Sequence, residues 1–399
     1  MRTLNLTEHE ATPARLTQHE LDQVLATGIV NVTPRLDGDY ELRPESVVGT
    51  VVRPRLRLLI TPKIGIRNLF FLLSYANGLT SWDDERFPYE EDDDLFGAVA
   101  WLFESEVRRA SRYGLTRGYR ERDETLSTIR GRIDIGAQLR ARQGRRFPLE
   151  CRYQDYTEDS DLNRVLKAAH RRLLRLPRLE RELGRRIHRH MRLFNEVEEI
   201  DYPPMGVPKL GFNRLNDLWE PPAVLADLIL RQDSVRDRTG SALGMSFTVD
   251  MNKVFERFVE VVVREEARRH GYVLQPQAPR RLTRSVRMRP DLVIKAAGHD
   301  VAVADAKYKE LHPADWPHAD LYQMLAYCVA LRVPRGLLIY AGSRRPRYEL
   351  VEGNGVTLEI IGIDLGGDFR AALSRTRAAA ARVIYQANLQ ACILGSNAT

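Results

Sequence analysis

Apolar and polar positions fall into three stretches of different rhythm along the chain. In the first stretch Thr17 and Glu20 make a capping box for a helix over Gln18–Ala26. Strands are predicted at Tyr40–Leu42, Val47–Arg53 and Leu56–Thr61, which are β-branched and bounded by Gly and Pro. A helix over Ile66–Asn77 then stops at Gly78. The second stretch opens with an acidic loop, 79–94, followed by a long helix from Asp94 to Tyr113 that ends at Gly114. Strand-like pieces at Thr116–Thr125 and Phe147–Tyr156 precede two or three helices within Asp159–Glu198. Prolines interrupt the next segment, and a helix over Ala223–Arg231 leads into a polar boundary at 232–244.

The third stretch reads helix Met251–His270, strands near Tyr272–Gln275, Val286–Met288, Asp291–Ala296 and Val301–Tyr308, helix His318–Leu331, and strand Gly336–Tyr340. Further strands at Tyr348–Val351 and Val356–Ile363 and a helix from Asp368 to about Leu389 complete it. The expected fold class is multidomain, α+β and α/β. A β-rich N-terminal domain (1–78) is followed by a mainly helical middle region (79–240) and a C-terminal mixed sheet flanked by helices (241–399).

Composition narrows the function classes. Net charge is +7, and basic balance suits a polyanion such as DNA. Only seven of the 61 basic residues are lysines, so each lysine stands out from an arginine background. Cys151, Cys328 and Cys392 lie far apart, which rules against zinc, disulfide or iron–sulfur frameworks. No apolar run reaches the ~20 residues of a membrane helix, and the N-terminus lacks a signal-peptide pattern. A cytoplasmic chain without membrane partners is expected.

The chemistry converges on one stretch. Pro290-Asp291 opens an apolar strand, and a turn at Gly298-His299-Asp300 brings a second strand back to Asp305-Ala306-Lys307. Side chains alternate along a strand, so Asp305 and Lys307 share a face. Two carboxylates offer the hard oxygen donors that Mg²⁺, or Mn²⁺, prefers. A lysine beside them stabilises an attacking hydroxide or a pentavalent phosphate. A surface ion pair is the plain alternative for a D-x-K. Against it, this is the only D-x-K and the only Pro-Asp step in the chain. Asp305 also sits in an apolar strand, where an unpaired carboxylate costs several kcal/mol. Glu256, on the flank of the apolar stripe of helix Met251–His270, is either a third carboxylate ligand or a solvated glutamate. Asp320, Gln323 and Tyr327 share one helix face, where Gln323 and Tyr327 support the site or pack helix against sheet. Arg287 and Arg289 lie just before Asp291 and either grip phosphates or form a solvated face. Arg140, Arg142, Arg145 and Arg146, and then Arg181, Arg185, Arg186, Arg189 and Arg192, either contact DNA or a partner ring or form solvated faces.

Glu256, Pro290-Asp291, Asp305-Ala306-Lys307 and Gln323 resemble the motifs of the PD-(D/E)xK nuclease superfamily, and the Gln323 and Tyr327 pattern is similar to its RecB-like branch. Over about residues 45–345 the chain resembles the McrC family. The stretches that carry this are Leu59-Ile60-Thr61-Pro62-Lys63-Ile64, Ile129-Arg130-Gly131-Arg132-Ile133-Asp134, Asp161-Leu162-Asn163-Arg164-Val165-Leu166-Lys167, Asp250-Met251-Asn252-Lys253-Val254-Phe255-Glu256 and Asp305-Ala306-Lys307-Tyr308-Lys309. The resemblance implies the nuclease subunit of a modification-dependent McrBC restriction system. Its site would use Asp291, Asp305, Lys307, Glu256 and Gln323, with Glu256, Asp291 and Asp305 as metal ligands. The implied partners are DNA, modified in such systems, and a hexameric McrB-like AAA+ GTPase that the N-terminal region docks into and stimulates. GTP would sit on that partner, since this chain has no Walker A loop and no Gly-Lys step. Two other readings stand beside it. One is an independent RecB-like repair nuclease. The other is a non-enzymatic activator subunit with a nuclease-derived fold.

Overall fold

In a computed structural model the described residues are 1–76, 95–142, 147–175, 179–203, 206–231, 247–309, 317–342, 346–352 and 355–396. The acidic loop, the 232–244 boundary, Asn77, Gly78, Arg145 and Arg146 lie outside them. The three stretches read from the sequence gather into two compact units, Met1–Asp93 with Thr248–Thr399, and Asp94–Phe247.

The N-terminal part carries more strands than its apolar runs predict. Chain order is β1 (Arg2–Thr7), β2 (Thr12–Ala14), α1 (Gln18–Leu25), β3 (Val30–Pro34), β4 (Tyr40–Pro44), β5 (Val47–Val52), β6 (Leu56–Thr61) and α2 (Ile66–Ala76). Thr17 caps α1 with the reciprocal Glu20 contact that its sequence implies. β1 pairs in parallel with β6, β6 runs antiparallel to β5, and β2, β4 and β3 make a second sheet. Leu4, Leu6, Val30, Leu42, Val51, Leu56, Leu58 and Ile60 fill the core of this part.

The Asp94–Phe247 unit comprises α3 (Leu95–Ala110), β7 (Gly118–Leu126), β8 (Arg132–Ile133), α4 (Ile135–Arg142), β9 (Leu149–Thr157), α5 (Asp161–Leu174), α6 (Arg181–His190) and α7 (Glu220–Arg231). A three-stranded antiparallel sheet, order β7-β9-β8, accompanies its helices.

β10 (Phe247–Asp250) joins the first sheet, whose order is β1-β6-β5-β10, and leads directly into α8 (Met251–Arg269). The Met251 amide donates to the Ser46 carbonyl at 2.9 Å. This is why the N-terminal part does not stand as a separate body: the strand that completes its sheet is the lead-in to the C-terminal part. Asn68 on α2 adds a second tie, donating to the carbonyls of Leu365 and Gly367 at 2.9 Å each.

The remaining elements are β11 (Val273–Pro276), β12 (Arg280–Arg281), β13 (Arg287–Met288), β14 (Leu292–Ala296), β15 (His299–Lys307), α9 (His318–Leu331), β16 (Arg335–Ala341), β17 (Arg347–Leu350), β18 (Thr357–Ile363) and α10 (Phe369–Ser396). Six strands form one mixed sheet, order β11-β14-β15-β16-β18-β17, with β15, β16 and β18 mutually parallel. α9 covers the face carrying Val293, Val303, Leu338, Tyr340, Leu358 and Ile360. The alternate residues Leu292, Ile294, Ala302, Ala304, Leu337 and Ile339 are buried too, and α8 and α10 pack against this sheet. A strand buried on both faces reads as a continuous apolar run, and β15 does. Gly336 lets α9 lie close to β16, since a Cβ there would meet Met324 Cγ at 2.5 Å and Cys328 Sγ at 2.7 Å.

Candidate active site

β14 and β15 form a hairpin whose turn is Ala297-Gly298, both at positive φ, one residue earlier than the sequence suggested. Asp291 immediately precedes β14 and Asp305 lies near the end of β15, so the hairpin register brings them together. They hold each other by a reciprocal clasp. The Asp291 amide donates to Asp305 Oδ1 at 3.4 Å, and the Ala306 amide donates to Asp291 Oδ2 at 3.1 Å. Asp305 is 1% exposed, and its Oδ2 has no hydrogen-bond donor aligned on it. The ion-pair partner of that oxygen is the Lys307 ammonium, 2.7 Å away.

The electrostatics follow from packing acids together in a dry place. Burial first, then the charge of Asp305 and the hydrogen bond with it, raise the Asp291 carboxyl well above the usual carboxylate range. The Ala306 amide opposes this and Glu256 adds to it. Burial works against the Lys307 charge, but Asp305, Asp291 and Asp320 outweigh it and hold the ammonium above its ordinary value. Glu256 is half-buried on α8. Its carboxyl is raised by burial, and it feels Lys307 and Asp305. Glu256 and Asp291 line one open cleft of about 220 Å³ together with Lys253, Arg257, Glu260 and Gln277.

The other predicted site residues are placed differently. Tyr327 is buried on α9, its phenol pushed up to about 12 by burial and by the Asp305 and Asp291 charges. Gln323 is exposed and donates from Nε2 to the Tyr327 hydroxyl at 2.7 Å, so its hydrogen bond goes to the tyrosine, not the lysine. Tyr327 in turn donates to the Arg289 carbonyl at 3.5 Å. Arg289 is exposed and its Nε donates to the Gln277 carbonyl at 3.0 Å, beside the carboxylate cleft. Arg287 is exposed on β13, in the ribbon with β12.

Asp291, Asp305 and Glu256 form an all-oxygen donor set of the kind that a hard divalent cation prefers. The fit is one of donor chemistry: among the described residues no three acidic, histidine or cysteine side chains already converge as a ligand cluster.

Some contacts around the site carry no sequence signal of their own. Asp320 pairs with Lys309 at 2.6 Å and accepts from the Tyr340 hydroxyl. The Tyr308 hydroxyl donates to buried Glu8 at 3.0 Å. Two of the motif stretches make their contacts within the Asp94–Phe247 unit. Arg130 stacks over Tyr153 at 4.0 Å and pairs with Asp155 at 2.7 Å, while Asp134 accepts from the Ala137 amide at the start of α4. Arg164 grips buried Asp159 through two hydrogen bonds of 2.8 and 2.9 Å, and Lys167 donates to the Phe194 and Val197 carbonyls.

Comparison with known proteins places the chain in a family. Residues 42–341 match the family model described as McrBC 5-methylcytosine restriction system component. No curated protein matches the chain. Among solved structures, it is similar to a chain in a refined half-complex from a tetradecameric assembly of Thermococcus gammatolerans McrB AAA+ hexamers with bound McrC. The TM-score is 0.60 at 20% identity, over 94% of this chain and 99% of the other. A second match, in the cryo-EM structure of the Thermococcus gammatolerans McrBC complex, has a TM-score of 0.44 at 20% identity, over 66% and 87% of the two chains. Among the described residues no helix is long and apolar enough to cross a membrane.

Proposed function

Since the chain belongs to the McrBC 5-methylcytosine restriction system component family, we propose that it is the DNA-cutting subunit of such a system, a metal-dependent phosphodiesterase governed by an AAA+ partner. The observation that carries this reading is the Asp291–Asp305 clasp with Lys307 against it. Two acids forced together in a buried pocket are costly unless something with positive charge repays them. The lysine does so in part. A divalent ion would complete the compensation, held by Asp291 and Asp305 with Glu256 as third donor. When bound, Mg²⁺ or Mn²⁺ polarises the scissile phosphate and lowers the pKa of a water. Lys307 contributes a fixed positive charge at the phosphate as negative charge builds there. Tyr327, Gln323 and the Arg289 carbonyl form a hydrogen-bonded brace behind the acids, holding α9 against the strand end that bears Asp291.

The partner follows from the family and the fold. In the similar Thermococcus gammatolerans structure, McrC is bound to McrB AAA+ hexamers. We assign the equivalent partner to this chain, with GTP on the ring and the N-terminal sheets as the docking part that stimulates hydrolysis. Reconstitution tests it. The full chain mixed with its cognate ring, GTP, Mg²⁺ and methylated DNA should cut, and the same chain without ring or GTP should cut at least tenfold more slowly. Equal cutting by the isolated chain would favour an independent repair nuclease instead.

A further inference from the structure

Lys307 faces two ways. Its ammonium sits on Asp305, and its side chain also lines a second cleft of about 380 Å³, separate from the one bordered by Asp291 and Glu256. This cleft is walled by the N-terminal sheets on one side and by the end of β15 on the other, with Arg43, Glu45, Asn252 and Lys309 among its lining. The first two turns of α8 contribute Asn252 to this cleft and Lys253 and Glu256 to the other. The acid–lysine centre therefore has a cleft at its carboxylates and another at its lysine. A site for a small ester needs only one. Two separate clefts, one lined by Asp291 and Glu256 and the other by Lys307, suit a polymer that continues on both sides of the bond.

The chemistry of the second cleft suits the backbone of that polymer. Arg43 is exposed and is held by one hydrogen bond, Nε to the His9 carbonyl at 3.0 Å. Its terminal nitrogens make no hydrogen bond among the described residues, so a forked pair of donors remains to offer. Lys309 is exposed; its ammonium pairs with Asp320 at 2.6 Å and lies 5.7 Å from the Tyr340 ring centroid, with its outer side open to the cleft. Asn252, the second residue of α8, brings a side-chain amide. One acid, Glu45, opposes them on the wall, where it accepts from Asn31 at 3.1 Å. Two cations and an amide around one small open cleft are a phosphate-binding set that carries no base-reading pattern. We propose that this cleft holds a backbone phosphate of the DNA strand next to the scissile position, gripped by Arg43 and Lys309 with Asn252 as a further donor. The N-terminal sheets thus serve as one wall of the DNA track. The inference rests on the nuclease reading for the identity of the polymer, not for the existence of the site.

The test measures binding without cleavage. A fluorescent DNA duplex and the matching single strand are titrated with the full chain in EDTA, at salt from 50 to 200 mM. Arg43→Gln with Lys309→Gln should weaken binding about tenfold at the lowest salt and reduce the slope of log affinity against log salt by about one to two. Glu45→Gln, which removes the opposing charge and keeps an acceptor for Asn31, should tighten binding about twofold. That gain cannot come from misfolding. Unchanged affinity and slope in both variants, or no binding by the wild-type chain at 100 micromolar order, overturns the proposal. If the variants shift binding as stated while the assembled wild-type complex never cuts DNA, the nuclease reading fails and the phosphate site stands.

Discussion

The Tyr308 hydroxyl donates to the Glu8 carboxyl at 3.0 Å, joining the residue after Lys307 to the end of the first strand of the chain. Both side chains are buried, and Glu8 Oε1 has no hydrogen-bond donor aligned on it. The strand bearing the acid and lysine is thereby fixed to the N-terminal sheets. Any movement imposed on those sheets by a docked partner would reach Lys307 through one residue.

This contact predicts a pH signature. Burial, opposed by the Tyr308 hydrogen bond and by Lys63, pushes the Glu8 carboxyl from its ordinary 4.5 up to about 7. The folded state then holds a proton that the unfolded chain releases. The associated stability is full below pH 4.5 and is lost as pH rises through about 7. The loss is at most about 3 kcal/mol. Glu8→Gln keeps an acceptor for Tyr308 but cannot ionise. Melting curves from pH 4.5 to 8 should show the wild type losing several degrees relative to the variant, and parallel curves would refute the assignment.

His170 predicts the opposite sign in the Asp94–Phe247 unit. Its ring lies between Phe103 and Phe194 with Nδ1 2.7 Å from the Leu166 carbonyl, so that nitrogen carries the proton. Burial lowers its pKa to about 3, and lowers that of neighbouring His190 to about 4. A depressed imidazole contributes stability above 6.5 that is lost as pH falls toward the folded value. Hydrogen exchange along α5 should therefore lose protection between pH 7 and 5 after correction for intrinsic rates. His170→Phe should lose less, and equal losses in the two proteins would count against burial as the cause.

The hairpin and its acids were legible in the sequence because the signals are local: an apolar strand, a turn, another apolar strand and a lone D-x-K. The helices bearing Glu256 and Gln323 were legible for the same reason. Glu8 and Arg43 were not. Nothing in Glu8 or its neighbours announces burial, which arises only when β1 pairs in parallel with β6, some fifty residues on. β1 itself alternates, but only Leu4 and Leu6 are apolar in it, too few to mark a strand. Arg43 and Lys309 meet one cleft through tertiary contact alone. The β-rich start and the C-terminal part read as separate domains because sheet completion by β10 leaves no trace in composition. Periodicity put Gln323 and Tyr327 on one helix face, yet could not say that they bond each other, four residues apart.

Metal binding should move protons. Asp291 is held above the carboxylate range by burial and by Asp305, so at neutral pH the pair carries a proton that a divalent ion must displace. Titrating Mg²⁺ or Mn²⁺ into the full chain, in two buffers of different ionisation enthalpy, should give heats that differ in proportion to those enthalpies. Asp291→Asn should abolish the difference. Identical heats in the two buffers would mean that the ion binds elsewhere or that the pair is already ionised.

The most direct test of the centre itself is cleavage by the fully assembled complex carrying Asp305→Ala or Lys307→Ala, with GTP hydrolysis followed in the same tubes. Each variant should still assemble with the ring and support GTP turnover within about twofold of wild type. DNA cutting should fall by about a thousandfold or more, as loss of a principal charge at a reacting phosphate implies. Cutting at wild-type rate by either variant would contradict the catalytic assignment.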